Sequence, residues 1–249
     1  MITNTKEYSA EYASDLIRGI DIEARPWDLQ QEILNITKTT STLLDIGSGD
    51  SRKVIPLAKH LSHIVAMEPS LEMRKLANNA LQHYNLKNIT IVNGVADKLP
   101  FPDSSFNIVT CSLAPWNISE VYRVLKLDGY FINETIGCAD KIEFKKEFGV
   151  DEFGVLRGQL IQDPEEHYLS NLRNNIESNL SNVTLKNGFW KTMYTKNGLL
   201  ELCKVTPTIN DFNEIKDKIK FDNAISKLQS PNGIILTQNR VLIIGKKSI

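Results

Sequence analysis

Apolar and polar positions between residues 41 and 136 follow two alternating periods. Short apolar runs that end in glycine or polar turns predict five strands, over residues 41–46, 63–67, 89–92, 106–111 and 130–135. Apolar residues at helical spacing predict helices that begin near Ser51 and that cover residues 71–84, with Leu76, Ala80 and Tyr84 along one side, and 118–125. Strands that alternate with helices predict a parallel sheet covered on both faces.

The pattern differs towards the two ends of the chain. Tyr8, Tyr12, Leu16 and Ile20 recur at every fourth position, which predicts one helix face, either a packing stripe or a lid helix. After Gly137 the alternation stops, and the next stretch is charged, helix-prone and interrupted by glycines. It resumes with a strand over 183–194, short helices over 198–204 and 212–228, and apolar runs at 234–236 and 240–244 that form two strands or one long bent strand.

We therefore predict a single domain with an insertion. Its parts are an N-terminal helical cap (1–38), a cofactor-binding core (39–137), a lid or substrate insertion (138–181) and the C-terminal part of the sheet (182–249).

Composition narrows the classes of protein that fit. The 249 residues carry a net charge of -1, so the basic excess typical of nucleic-acid wrapping is missing. No apolar stretch approaches the ~20 residues of a membrane-spanning helix, and the first residues lack a signal-peptide pattern. The three cysteines form no C-x-x-C pair, which argues against a disulfide framework and against a zinc site. We expect a cytoplasmic protein without a metal.

Candidate chemistry is concentrated in the segment Leu43 to Asp50. Asp45 lies at the carboxyl end of the first predicted strand and is followed by Gly47 and Gly49. Open α/β sheets bind ligands at this edge, and glycines allow a ligand to approach the backbone closely. Glu68 follows nineteen residues after Gly49, at the end of the second strand, where a carboxylate can accept two hydrogen bonds from a ribose diol.

Two nucleotide-binding motifs do not fit this loop. The dinucleotide fingerprint G-x-G-x-x-G needs a glycine where the chain has Arg52, and no G-K-[ST] follows, as a P-loop would need. The loop instead resembles the D/E-x-G-x-G motif of class I S-adenosylmethionine-dependent methyltransferases. Residues 65–73 resemble the second-strand motif of that family, residues 99–109 are similar to the "LPFPDxSFDxV" segment of one large branch, and residues 120–130 are similar to its "ExxRVLKPGG" turn.

The resemblance covers about residues 40–136 and implies a fold. That fold is the Rossmann-like class I methyltransferase fold: a mostly parallel seven-stranded sheet with an antiparallel last strand, helices on both faces, and here a helical lid insertion after the fifth strand. The chain departs from the family pattern at Val95, where an acidic residue is frequent, at Asn107, where aspartate is usual, and at Ser51, which replaces the third glycine.

The resemblance also implies S-adenosylmethionine as cofactor and a role for each matching residue. Asp45 would face the methionine ammonium, Glu68 would bind the ribose hydroxyls, and Leu113 would lie near the sulfonium. The remaining implied contacts are the loop residues Gly47, Ser48 and Gly49 at the methionine portion, Met67, Pro69 and Met73 around the adenine, and Ala96 and Asp97 at its edge.

The implied reaction is direct displacement of the cofactor methyl group onto an acceptor. We expect a small-molecule acceptor, because residues 112–116 lack the N/D/S-P-P-Y/F/W motif of many nucleic-acid methyltransferases. An RNA or protein acceptor and a non-catalytic regulatory role are the alternatives. Glu134 and His167 are the candidates for a general base, if one is used. The sequence leaves open the acceptor atom and the choice between monomer and homodimer.

Overall fold

A computed structural model describes residues 14–152, 154, 156–158 and 164–248, so Tyr8 and Tyr12 lie outside the described residues. The strands are β1 (Ile20–Asp21), β2 (Thr42–Ile46), β3 (His63–Met67), β4 (Ile89–Val92), β5 (Phe106–Ser112), β6 (Leu125–Ile136), β7 (Ser181–Tyr194), β8 (Gln229–Ser230) and β9 (Gly233–Lys246). The α-helices are α1 (Leu29–Asn35), α2 (Leu71–His83), α3 (Ile118–Val124), α4 (Ile142–Lys145), α5 (Glu165–Glu177), α6 (Lys196–Val205) and α7 (Lys218–Leu228). Short 3-10 helices cover Asp15–Ile17, Ile55–His60 and Lys146–Phe148.

The strands form one mixed sheet in the order β1-β7-β9-β6-β5-β2-β3-β4, with β8 paired to β9. Strands β4, β3, β2, β5 and β6 run parallel to one another, whereas β9 is antiparallel to both β6 and β7. The predicted Rossmann-like fold with an antiparallel last strand is confirmed. The two-residue strands β1 and β8 add to the seven expected, and β9 is one continuous strand.

Three buried clusters hold the layers together. On one face of the sheet, Trp27, Ile33 and Leu57 pack against strand residues such as Leu43 and Ile132. On the opposite face, α3 and α5 cover a second cluster that contains Phe131 and Ile176. A third cluster joins α4, α6 and α7 around Phe144 and Phe148. Helix α5, in the segment predicted as a lid or substrate insertion, packs on the sheet in this second cluster.

The helix predicted to begin near Ser51 differs from the observed structure. Ser51 has a φ of 63° and its carbonyl accepts hydrogen bonds from Val54 N and Ile55 N, so the chain makes a turn there. The helix that follows, Ile55–His60, is of the 3-10 type, and Pro56 near its start has no N–H to donate. A tight turn and a proline therefore replace the expected α-helix.

Two predicted helix faces are also wrong where the structure describes their residues. Leu16 and Ile20 do not share a helix, because Gly19 turns the chain at a φ of 68° and residues 20–21 pair with β7. In α2 the buried side consists of Met73, Ala77 and Leu81 instead of Leu76, Ala80 and Tyr84. Those three line a surface groove with Ile55 and Leu86 instead. The seventh helix begins at Lys218, not at residue 212.

Candidate cofactor and acceptor site

The glycine turn after β2 is tied to the end of β3. Gly47 N and Ser48 N both donate to the carbonyl of Met67, at 2.9 and 3.0 Å. Gly47 and Gly49 have φ values of 68° and 59°, which favour glycine. A Cβ on Gly47 would lie 2.4 Å from the Cβ of Ala114, so this turn also lies directly against the loop after β5.

Glu68 presents a buried carboxylate beside this turn. Its side chain is 5% exposed, and its Oε2 accepts from Gly49 N at 2.9 Å while its Oε1 accepts from Ser70 N at 2.8 Å. Ser70 also caps α2 by accepting from Met73 N. An ionised carboxylate has about four acceptor positions, so each oxygen keeps one for a ligand hydroxyl. The free acceptor positions therefore fit the two hydroxyl donors of a diol, as the ribose of S-adenosylmethionine requires.

Asp45 is buried at the end of β2, with Thr110 Oγ1 donating to its Oδ1 at 2.7 Å. Burial raises the pKa of Asp45, and the hydrogen bonds from Thr110 and Ser48 and the charge of Lys53 oppose that rise. A cationic ammonium would restore the charge balance of this carboxylate.

The other predicted cofactor residues lie along the same carboxyl edge of the sheet. Met67 and Met73 are buried, Ala96 is half-buried, and Pro69 and Asp97 are exposed. Gly94 lies so close to Met67 that a Cβ at position 94 would be 2.5 Å from Met67 Sδ. Leu113 is 37% exposed and has a φ of 57°. The edge brings these residues together, and their roles towards the cofactor stay predictions.

A second polar group lies at the ends of β5 and β6. Lys53 Nζ donates to Ser112 Oγ at 2.7 Å, and Ser112 Oγ donates to Glu134 Oε2 at 3.0 Å. Trp27 Nε1 donates to the other oxygen, Glu134 Oε1, at 2.9 Å. Sequence reasoning missed Lys53, Ser112 and Trp27; the signal available for Lys53 was its place four residues after Gly49.

The two candidate bases do not lie together. Glu134 is 8% exposed and contacts Trp27, which belongs to the cluster beneath α1. His167 is exposed on α5, which covers the opposite face of the sheet. The structure therefore does not bring His167 to the site, because the helix that carries it packs on the other layer.

Comparison with known proteins places this geometry in a family. Residues 44–133 match the family model described as a methyltransferase domain. Over this segment the chain is similar to methyltransferase domains, in agreement with its resemblance to the class I S-adenosylmethionine-dependent methyltransferases. S-adenosylmethionine is the cofactor of this family. The matched segment contains the glycine turn, Glu68 and the end of β5, and stops one residue before Glu134.

Relatives in sequence match only part of the chain. An uncharacterized methyltransferase, YcgJ of Bacillus subtilis, is 34% identical over 97 residues, covering 36% of this chain and 38% of that protein. A demethylmenaquinone methyltransferase of Listeria monocytogenes is 30% identical over 108 residues, covering 39% of this chain and 45% of the relative. The chain thus spans about two fifths of the length of the curated relatives it matches.

The folds of solved structures match a longer stretch of this chain than the sequence relatives do. The crystal structure of YcgJ from Bacillus subtilis has a TM-score of 0.61 at 19% identity and covers 88% of this chain and 98% of that one. Phosphoethanolamine N-methyltransferase 2 of Haemonchus contortus, solved in complex with S-adenosyl-L-methionine, has a TM-score of 0.56 at 17% identity and covers 96% of this chain and 57% of that one. These likenesses concern the fold. No helix among the described residues is long and apolar enough to span a membrane.

Proposed function

We propose that this chain transfers a methyl group from S-adenosylmethionine to a small-molecule acceptor by direct displacement. The observation that carries the proposal is the buried Glu68 carboxylate, held by two main-chain N–H groups next to the glycine turn of a methyltransferase domain. Among the described residues this carboxylate has no ion pair, and its open acceptor positions suit a ligand that donates hydrogen bonds.

Residues at the carboxyl edge of the sheet would each bind a different part of the cofactor. Glu68 would hold the ribose hydroxyls, Asp45 would face the ammonium of the methionine portion, and Gly47 and Gly49 would let that portion approach the backbone. The cofactor supplies a methyl group activated by a positive sulfur, and the protein supplies orientation and electrostatics. Alignment of the reacting atoms can lower the barrier by ~7–11 kcal/mol.

Three features support a small acceptor over RNA or protein. The net charge of -1 gives no general attraction for phosphate backbones. Residues 112–116 lack paired prolines. Several similar proteins are named for small or carrier-bound acceptors: demethylmenaquinone, malonyl-[acyl-carrier protein] and phosphoethanolamine.

The test is cofactor binding by calorimetry, with Glu68→Gln as the variant and Glu72→Gln, an exposed carboxylate on α2, as the matched control. We expect wild type and the control to bind S-adenosylmethionine and S-adenosylhomocysteine at one site without a divalent cation. Glu68→Gln should weaken binding by about 1–3 kcal/mol, because a charged hydrogen-bond acceptor is lost.

Absence of binding in the wild type, or a need for a metal, would refute the proposal. Tight, salt-sensitive binding of structured RNA, beyond the ~10⁻⁴–10⁻⁶ M of ordinary non-specific contacts, would favour the nucleic-acid alternative. Cofactor binding without methyl transfer to any compound in a broad acceptor screen would favour a regulatory role.

A further inference from the structure

A cleft of about 430 Å³ opens next to the carboxyl edge of the sheet that carries the predicted cofactor residues, here called the cofactor edge. Its lining includes Arg25, Trp27, Asp28, Lys53 and Glu134. This volume is within the usual range of ~300–1,000 Å³ for small-ligand pockets. The cleft reaches the cofactor edge through Ser112, which pairs in register with Glu134 and directly precedes Leu113.

Glu134 forms the polar end of this cleft. Each of its carboxylate oxygens accepts one hydrogen bond, from Trp27 Nε1 and from Ser112 Oγ. About two of its four acceptor positions remain for a ligand. An ionised carboxylate only accepts hydrogen bonds, so the ligand atom that meets it must be a donor.

The charges around the cleft also restrict the charge of the ligand that carries this donor atom. The Lys53 ammonium is held against Ser112, and burial lowers the pKa of Lys53 while the nearby Glu134 and Asp45 oppose that effect. The Arg25 guanidinium bonds to Asp21 and lies 5.2 Å from the centre of the Trp190 ring. The lining also holds the carboxylates of Asp28 and Glu134, so its two cations and two anions balance, which suits a ligand without net charge.

We propose that this cleft is the acceptor subsite and that it takes a small uncharged nucleophile that carries a proton, a hydroxyl group above all. This inference rests on the proposed function. Glu134 is the residue that receives the proton. Ser112, Lys53 and Trp27 are positioning residues that fix the carboxylate.

The step balances without any further reactant. The acceptor oxygen forms a bond to the methyl carbon while the carbon–sulfur bond of the cofactor breaks, and its electron pair stays on sulfur as S-adenosylhomocysteine forms. The hydroxyl proton passes to Glu134 and then to water. Proton transfer by a positioned carboxylate contributes typically ~10²–10⁴-fold to such a rate.

The test uses phenol as the probe, anisole as its methylated counterpart and benzylamine as a cationic counterpart. Binding is measured by ligand-observed NMR, with S-adenosylhomocysteine present and again without it. We expect phenol to bind at least tenfold more tightly than anisole and benzylamine. Equal binding of phenol and anisole, or preference for benzylamine, would overturn the inference.

Four variants, one of them a control, refine the result. Glu134→Gln keeps the shape of the side chain and should abolish the preference for phenol over anisole, whereas Glu177→Gln, on the surface of α5, should not. Ser112→Ala should weaken phenol binding, and Ser112→Thr should restore it, since threonine returns the hydroxyl. Failure of the threonine variant to restore binding where alanine loses it, or an unchanged preference in Glu134→Gln, would overturn the assignment.

The two proposals fail separately. Loss of S-adenosylhomocysteine binding in the wild type refutes the proposed function, whereas the phenol comparison made without that ligand examines the cleft by itself. A protein that binds S-adenosylhomocysteine and shows no phenol preference keeps the proposed function and loses this inference.

Discussion

Lys145 is a buried lysine, and burial of its positive charge lowers the stability of the folded protein. It is 5% exposed on α4, and its Nζ lies 3.9 Å from Asp140 Oδ2. The same aspartate bonds to Lys141 at 3.1 Å and to Arg240. Three cations therefore share one carboxylate. We predict that Lys145→Met, which removes the charge and keeps the length of the side chain, stabilises the protein.

The size of the effect follows from the pKa of Lys145. Burial lowers this pKa from 10.5 to about 8; the charge of Asp140 opposes the drop, and Lys141 and Arg240 add to it. At ~1.4 kcal/mol per tenfold change in the acid constant, this corresponds to about 3 kcal/mol against the charged form. Since Met also removes one partner of Asp140, we expect a net gain of about 1–3 kcal/mol at pH 7.

The pH dependence has a definite sign. Below pH 8 the lysine is charged in both the folded and the unfolded protein, so the buried charge lowers the free energy of unfolding by its full amount. Between pH 8 and 10.5 the folded protein releases this proton before the unfolded chain does, so the wild type gains stability from this group as the pH rises. The variant lacks that gain, and the stability difference between the two proteins should shrink across this window.

The assay is urea unfolding of wild type, Lys145→Met and the control Lys146→Met at several pH values from 7 to 10.5. Lys146 is the exposed neighbour, so its substitution should change the unfolding free energy little. The reasoning is refuted if Lys145→Met is less stable than wild type by more than ~1 kcal/mol at pH 7, or if the difference between the two does not change with pH.

The remaining predictions concern the partner of these buried cations and two glycines near the site. Asp140→Asn should destabilise the protein by about 3–5 kcal/mol in the same urea assay, because it leaves buried cations without their partner. Gly47→Ala should weaken S-adenosylhomocysteine binding at least tenfold by calorimetry, because a Cβ there meets the loop after β5 at 2.4 Å; Gly149→Ala, with open space around it, is the control. Gly188→Ala should shift Trp27, whose Cζ3 would lie 2.5 Å from the new Cβ, and the tryptophan fluorescence should change together with a loss of phenol binding.

The parallel strands could be predicted from the sequence because burial on both faces makes each a short apolar run. Leu43, Leu44 and Ile46 in β2 are all buried, and the run ends where glycine turns the chain. The helix after that turn could not be predicted in the same way. Its apolar spacing is helical, but the left-handed backbone at Ser51 and the proline at position 56 depend on how the loop closes against its neighbours.

The cofactor edge could be predicted because its chemistry lies in short, contiguous motifs at strand ends. The acceptor cleft differs, since Trp27 and Glu134 are 107 residues apart and meet only through the sheet register and the packing of α1. No spacing rule links residues from four separate elements. Likewise Phe144 and Phe148, within the predicted lid segment, are buried in the third cluster, and the lid role of residues 138–181 stays a prediction.

Lys53 connects the two halves of the site. Its ammonium interacts with Asp45 on the cofactor side and with Glu134 on the acceptor side, and all three groups lie on one face of the sheet. In a poorly solvated site a charge is felt over several ångströms, so an ammonium bound beside Asp45 competes with Lys53 for that carboxylate. If the methionine ammonium binds at Asp45 as proposed, Lys53 would then interact more strongly with Ser112 and Glu134, the group proposed to receive the acceptor proton.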